Sequence, residues 1–146
     1  MSNHTNALSD ELKLRLEQML KSLCIAKKEI FLASVCTVDG FNIRSVTSSA
    51  RTTEVDKLAA MASTIVSLSA ASAQQLMALP STFTTIETEG GNILFLTAML
   101  LGKECVLTIA ANDTMQLATA RYEAMRLAKS IAELDNAQEG VISSAY

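Results

Sequence analysis

The chain has 146 residues, of which 49% are hydrophobic, 4% aromatic and 18% charged. This length suits one compact domain, and the scarcity of aromatic residues and the net charge of −3 argue against a nucleic-acid-binding surface. The longest apolar stretch, Ile93 to Leu101, is interrupted by Thr97 and is shorter than the roughly 20 residues that span a bilayer. The first six residues are polar and do not resemble a secretory signal. We therefore expect a cytoplasmic protein without membrane insertion.

Catalytic chemistry has few candidate residues in this sequence. The single histidine, His4, lies in a polar lead-in, so neither a histidine-activated nucleophile nor a histidine-based metal site can be assembled. The five glycines do not form either of the two common phosphate-binding loops. Cys24, Cys36 and Cys105 form no C-x-x-C pair and lie among apolar neighbours, which predicts buried reduced thiols, with one redox-active thiol as the alternative. We expect no catalytic residue, no metal and no cofactor.

Hydrophobic periodicity predicts an α-β-β-α-β-β-β-α order with a five-stranded antiparallel sheet, an α+β fold. The predicted elements are a helix from Ser9 or Asp10, strands over 30–38 and 41–48, a helix over 53–78, strands over 82–89, 93–99 and 105–111, and a helix capped by Asn112 or Asp113. Asp39-Gly40 predicts a two-residue hairpin turn between the first two strands. We divide the chain into a flexible amino terminus (1–8), one domain (9–135) and a flexible tail (136–146).

The second predicted helix has an unusual charge distribution, because no charged residue lies between Lys57 and Glu87. At 100° per residue, one stripe is largely aliphatic, and we expect it to cover the sheet: Leu58, Met61, Ile65, Leu68, Ser72, Leu76 and Leu79. A neighbouring face is nearly all small, which permits close approach of a second helix: Ala59, Ala62, Ser63, Val66, Ser69, Ala70, Ala73 and Met77. The remaining arc is mildly polar: Ala60, Thr64, Ser67, Ala71, Gln74, Gln75 and Ala78.

This absence of charge indicates a contact surface. Exposed helix faces normally carry lysine, glutamate and arginine, whereas the cores of protein interfaces are depleted of charged residues. We therefore predict a homodimer in which the small face of the second helix meets its twofold mate. The alternative is a helix that is rich in alanine and serine for propensity and is covered by another part of its own chain.

Four segments, in this order and at these distances, carry a resemblance to a known family. They are Val38-Asp39-Gly40-Phe41-Asn42-Ile43, Leu58-Ala59-Ala60-Met61-Ala62-Ser63, Glu87-Thr88-Glu89-Gly90-Gly91 and Leu107-Thr108-Ile109. With the element order, they make the chain resemble the Roadblock (dynein light-chain roadblock-like) domain family, including the bacterial MglB-type proteins. The resemblance covers roughly residues 12–134.

The resemblance implies a profilin-like Roadblock fold, with the central helix on one sheet face and the terminal helices on the other. It implies a homodimer in which the central helices pair and the third strands join edge to edge, which adds Phe83, Thr84, Thr85 and Ile86 to the small helix face. It further implies a non-catalytic regulator or adaptor of a small Ras-like GTPase. The partner would dock on the uncharged arc of Ala60, Thr64, Ser67, Ala71, Gln74 and Gln75.

Two other functions remain open at this point. One is a scaffold subunit of a larger signalling or motor complex that does not alter GTP turnover, and the other is a small-molecule sensor. Arginine side chains at 44, 51, 121 and 126 are candidates to stabilise phosphate charge in a complex. Arg51 has the best predicted position, since it lies in the loop before the central helix.

Overall fold

The computed structural model describes residues 8–48 and 54–144, with side chains as far as 134. Its elements are α1 (Asp10–Ala26), β1 (Ile30–Thr37), β2 (Asn42–Thr47), α2 (Val55–Met77), β3 (Thr84–Thr88), β4 (Gly91–Leu100), β5 (Lys103–Asn112) and α3 (Leu117–Ser144). The predicted order of elements is therefore confirmed. The loop residues 49–53, which include Arg51, and residues 1–7, which include His4, lie outside the described ranges.

Local signals account for the helix boundaries. Ser9 caps α1, because its hydroxyl accepts a hydrogen bond from the Leu12 N–H at 3.1 Å. Asn112 does not cap α3 directly. Its side chain instead accepts from the Thr114 N–H at 3.1 Å in a short turn, and α3 begins at Leu117. The α3 backbone continues to Ser144, beyond residue 135, where the apolar pattern fades.

The strands form one antiparallel sheet in the order β2-β1-β5-β4-β3. The first hairpin turn has the predicted place but one more residue than predicted. Gly40 N–H donates to the Thr37 carbonyl at 3.1 Å, and Thr37 N–H donates to the Phe41 carbonyl at 2.8 Å. Gly40 lies at φ +95°, as expected for a three-residue connection that ends in a glycine.

The sheet separates two apolar layers of unequal size. α1 and α3 cover one face, where leucine and isoleucine side chains such as Leu16, Leu20 and Ile131 pack against β1, β4 and β5 in the main core. α2 covers the other face over a smaller cluster that contains Cys36, Phe95 and Val106. This arrangement confirms the predicted fold class and leaves α2 as the only cover on its side within the described residues.

Candidate partner-binding surface

Small side chains of α2 face the sheet. Ala59 and Ala62 are 0% and 1% exposed, and they pack on Cys36, Phe95 and Val106. The Cys36 thiol donates to the Ala59 carbonyl at a sulfur–oxygen distance of 3.7 Å. The predicted orientation, with the large aliphatic stripe on the sheet, is therefore wrong. The largest fully buried side chains on this interface belong to the strands, and the small Ala59 and Ala62 let the two backbones approach, while Ile65 and Val66 of α2 pack half-buried beside them.

The first hairpin also requires this close approach. A Cβ atom at Gly40 would lie 3.0 Å from the Ser63 hydroxyl oxygen and 3.4 Å from the Ala60 Cα. The left-handed φ of Gly40 and its contact with α2 thus both favour glycine. The amino-terminal half of α2 therefore lies close against the β1–β2 hairpin at this glycine.

The predicted dimer residues on α2 are consequently divided between two environments. Ala59 and Ala62 offer no surface to another chain, which corrects their assignment, whereas Ala70 and Met77 are exposed. Ser63, Val66, Ser69 and Ala73 are half-buried, and Val66 packs beside the cluster under α2. A charge at Val66 would therefore disturb the fold as well as any contact between subunits. The alternative that the small face is covered by its own chain is confirmed at Ala59 and Ala62.

The outward face of α2 carries the predicted docking residues. Ala60, Thr64, Ser67, Ala71, Gln74 and Gln75 are all exposed, as are Met61, Leu68 and Leu76 from the aliphatic stripe. Leu68 is 63% exposed and Leu76 is 79% exposed. We call this combined set the outer face of α2. It is a continuous uncharged helix surface that mixes aliphatic and small polar side chains.

Two hydroxyls on this helix are already bonded within it. Ser63 and Thr64 both donate to the Ala60 carbonyl, at 3.1 Å and 2.9 Å. Such back-bonding to the preceding turn satisfies the hydroxyl donors. The amino-terminal half of the outer face is therefore less polar than its sequence suggests.

The carboxyl-terminal end of α2 is exposed on all sides, and we call it the overhang. Every residue from Gln74 to Pro80 is exposed, including Met77 and Leu79. The helix ends at Ala78, which adopts a left-handed φ of 55° and donates its N–H to the Gln74 carbonyl at 3.0 Å. The overhang therefore presents large apolar side chains that nothing in the described chain covers.

The strand that follows this overhang is β3, which pairs with β4 alone among the strands that the structure describes. Thr84 donates its hydroxyl proton to the Ser69 hydroxyl oxygen at 2.6 Å and so links β3 to α2. Of the predicted strand residues in the dimer surface, Phe83, Thr84 and Thr85 are half-buried and Ile86 is exposed. The structure thus brings an open strand edge beside an uncharged helix end.

Three of the four candidate arginines contact other residues of the same chain. The Arg44 Nε atom lies 3.4 Å from the Glu17 Oε1 atom, and the Arg126 Nη2 atom lies 2.8 Å from the Glu123 Oε1 atom. The guanidinium carbon of Arg121 lies 4.9 Å from the centre of the Phe83 ring. Glu123 is buried, which the sequence pattern did not reveal, and its hydrogen bond and negative charge raise the pKa of Arg126. The role of Arg51 stays a prediction.

The α1–α3 side of the sheet contains a half-open groove of about 220 Å³ beside Glu123 and Arg126. Its apolar walls are formed by Met19, Leu23 and Leu127. Drug-sized ligands occupy clefts of roughly 300–1,000 Å³. The groove is smaller than this range, whereas a second half-open hollow beside Phe31, Gly91 and Asn112, of about 430 Å³, lies within it. Cavity volume therefore leaves the sensor hypothesis open.

All three cysteines are buried and free of disulfides, as predicted. Burial raises the pKa of Cys24, and burial together with the charge of Asp39 raises the pKa of Cys36 to about 11.

The cysteine thiols should be protected from reagents in the folded protein. The thiolate is the reactive form, so the native protein at pH 8 should react slowly with an aromatic disulfide reagent and should react fully once urea unfolds it. Because the folded-state pKa is raised, the Cys36 contribution to stability declines as the pH rises from 9 towards 11. Rapid native labelling of Cys36 would contradict its enclosure under α2.

Other kinds of site find no support in the described ranges. Within residues 8–48 and 54–134, no group of three histidine, cysteine, aspartate or glutamate side chains lies close enough together to hold a metal ion. In the same part of the chain, no helix is both long and apolar enough to cross a bilayer.

Comparison with known families decides the classification. The sequence profile of the Roadblock/LC7 domain family matches residues 17–111. The chain belongs to this family. The match runs from the middle of α1 to the end of β5, so it includes both α2 and the open edge of β3. The Roadblock domain therefore contains the whole candidate surface.

Solved Roadblock structures share this fold at low sequence identity. An MglB structure with a tetrameric arrangement has a TM-score of 0.73 and 15% identity, covering 85% of this chain and 90% of that one. Myxococcus xanthus MglB has a TM-score of 0.73 and 14% identity, with coverages of 90% and 93%. A Roadblock/LC7 domain from Streptomyces avermitilis has a TM-score of 0.69 and 19% identity, with coverages of 80% and 94%. Curated protein sequences contain no match to the chain.

Proposed function

We propose that this Roadblock domain is a cytosolic, homodimeric, non-catalytic regulator or adaptor of a small Ras-like GTPase. The observation that carries the proposal is the outer face of α2, where aliphatic side chains such as Leu68 are exposed and no charge occurs between Lys57 and Glu87. Exposed apolar surface of this kind marks interaction sites on soluble proteins. The family resemblance supplies the class of partner.

Two parts of the surface take separate roles in this proposal. The end of α2 from Leu76 onward and the open edge of β3 form the contact between subunits, where Leu76, Met77, Leu79 and Ile86 lose their exposure. Pairing of two β3 edges would also satisfy backbone groups that otherwise attract unwanted strands. The middle of the outer face, from Ala60 to Gln75, then remains available for the GTPase.

Regulation by such a surface requires different affinities for the GDP and GTP states. A protein that binds the GTP state more tightly raises the affinity of the GTPase for GTP by the same factor, because binding free energies are reciprocally linked. Typical coupling is about 5-fold to 150-fold. Arg44, Arg121 and Arg126 already contact other residues, so contact with the switch regions is the mechanism proposed, with Arg51 as the arginine expected to lie nearest the bound partner.

The test uses purified protein and a Ras-like GTPase from the same genome, loaded with GDP or with a non-hydrolysable GTP analogue. We expect a dimer by light scattering at micromolar concentration, and titration calorimetry should show at least about a fivefold preference between the nucleotide states. Equal affinity with unchanged hydrolysis and exchange rates would support the scaffold hypothesis instead. A metabolite that remains bound through purification would support the sensor hypothesis.

A further inference from the structure

The geometry of the β3–β4 hairpin determines which backbone groups of β3 are free. Thr88 pairs with Gly91 across the two-residue turn at 89–90, and the pair that flanks such a turn exchanges backbone hydrogen bonds. Bonded and non-bonded pairs alternate along an antiparallel ladder. The N–H and C=O groups of Ile86 therefore point towards β4, whereas those of Thr85 and Glu87 point away from the sheet.

Two side chains of opposite charge, Glu87 and Arg121, lie near the open edge of β3. Thr85 pairs with Leu94 of the main core, so Phe83, Thr85 and Glu87 share the sheet face that α1 and α3 cover. Phe83 packs against that core, and Arg121 of α3 stacks on its ring. Arg121 and Glu87 are both exposed, and no ion pair joins Glu87 to another described residue.

Symmetry restricts how two copies of β3 can pair. Under a twofold axis perpendicular to the sheet, directly opposite residues lie on the same face. The axis therefore passes midway between the two copies of one residue, and the residues before it pair with those after it in the second copy. An axis at Glu87 would place two carboxylates directly opposite each other, which is destabilising. An axis at Thr85 instead places Glu87 opposite Phe83 of the second copy, under the guanidinium of Arg121.

We propose that two copies of this chain pair through β3 in a register centred on Thr85, with Glu87 of each copy facing the Phe83–Arg121 stack of the other. This inference rests on the proposed homodimer and adds its register and its charge pairing. The outward backbone groups of Thr85 then bond those of the second Thr85, and Glu87 lies opposite Phe83, the residue just before β3. Twofold symmetry makes the Glu87–Arg121 contact twice, on the side of the sheet opposite α2.

A charge swap tests this pairing. Glu87→Arg and Arg121→Glu each replace two attractive contacts with two like-charge contacts, and each should raise the dimer dissociation constant about tenfold or more. The double variant Glu87→Arg/Arg121→Glu should return the constant to within about threefold of wild type, because the pair is restored in reverse. Sedimentation velocity over a dilution series measures all three. Glu89→Arg is the matched control, since it lies in the turn and faces Arg121 only in a register centred on Ile86.

Cysteine cross-linking tests the same register without altering charge. Thr85 would lie opposite itself at a Cα–Cα distance of about 5.5 Å, within the range of about 4.4–6.8 Å that disulfides require. Thr85→Cys should therefore form a cross-linked dimer under mild oxidation, seen on a non-reducing gel. Ile86→Cys, the control, should not, because its side chain lies on the other face and opposite Thr84 of the second copy.

The outcomes separate this inference from the function on which it rests. A wild-type chain that is monomeric at micromolar concentration overturns the homodimer and the register together. A wild-type dimer in which the swap restores nothing and Thr85→Cys fails to cross-link overturns the register alone. Cross-linking at Ile86→Cys, with coupling of Arg121 to Glu89 rather than Glu87, shifts the axis by one residue and also overturns it.

Discussion

Replacement of Gly91 by alanine should destabilise the domain by about 3–5 kcal/mol, a large fraction of the stability of a typical domain. Gly91 is buried at the start of β4 with φ +134°. A Cβ atom there would lie 2.0 Å from the Ala111 carbonyl oxygen and 2.7 Å from the Asn112 Cα. Because both obstacles are backbone atoms of β5, the clash is relieved only when the β4–β5 pairing opens.

The adjacent glycine provides the control. A Cβ atom at Gly90 would meet only the Thr88 hydroxyl oxygen, at 3.8 Å, so Gly90→Ala should change the free energy of unfolding by less than about 1 kcal/mol. Thermal and urea denaturation measure both variants, and Gly91→Ala should lower the Tm by about 10 °C or more. Equal stability of the two variants would contradict the close packing of β4 on β5 at this position.

Glutamate substitutions on the two sides of α2 should affect different properties: folding stability on the buried side and partner binding on the exposed side. Ala62→Glu places a carboxylate against Cys36, Phe95 and Val106 without a partner, which should cost about 3 kcal/mol or more in folding stability. Leu68→Glu should change stability by less than about 0.5 kcal/mol, because Leu68 is mostly exposed. The same variant should weaken GTPase binding about tenfold or more, since it introduces a charge into the proposed docking face.

Urea denaturation and titration calorimetry distinguish these effects. Leu14→Glu is the matched control for binding, because Leu14 is also exposed but lies on α1, on the other side of the sheet. Its affinity for the GTPase should equal that of wild type. A Leu68→Glu protein that binds as well as Leu14→Glu would remove the outer face of α2 from the proposal.

The element order was predictable because local signals agree with the tertiary structure. Strongly apolar strands such as β5 have a single reasonable interpretation, and the Ser9 cap and the Gly40 turn each require a particular backbone conformation. The start of α3 was not predicted, since an Asn112 side chain that bonds Thr114 makes a turn that resembles a helix cap in sequence. The absence of charge on α2 correctly indicated an unusual surface.

The orientation of α2 could not be derived from its sequence. A face of Ala59, Ala62 and Ser69 permits close approach to a helix or to a sheet, and periodicity alone does not distinguish the two. The deciding factor is the bulk of Phe95 and Val106 on the strands below, which becomes apparent only with the strand order. The burial of Glu123 depends likewise on how α1 meets α3.

Hydrogen-bonding capacity is unevenly distributed along the outer face of α2. The Thr64 hydroxyl is directed to the Ala60 carbonyl, as is that of the half-buried Ser63 beside this face. The primary amides of Gln74 and Gln75, by contrast, are exposed near the other end of the helix. Directional recognition is therefore concentrated in the last turns, and the first turns select a partner by shape. Loss of a partner hydrogen bond to Gln74 or Gln75 would discriminate sharply between related proteins, while changes of contour near Met61 would be tolerated more gradually.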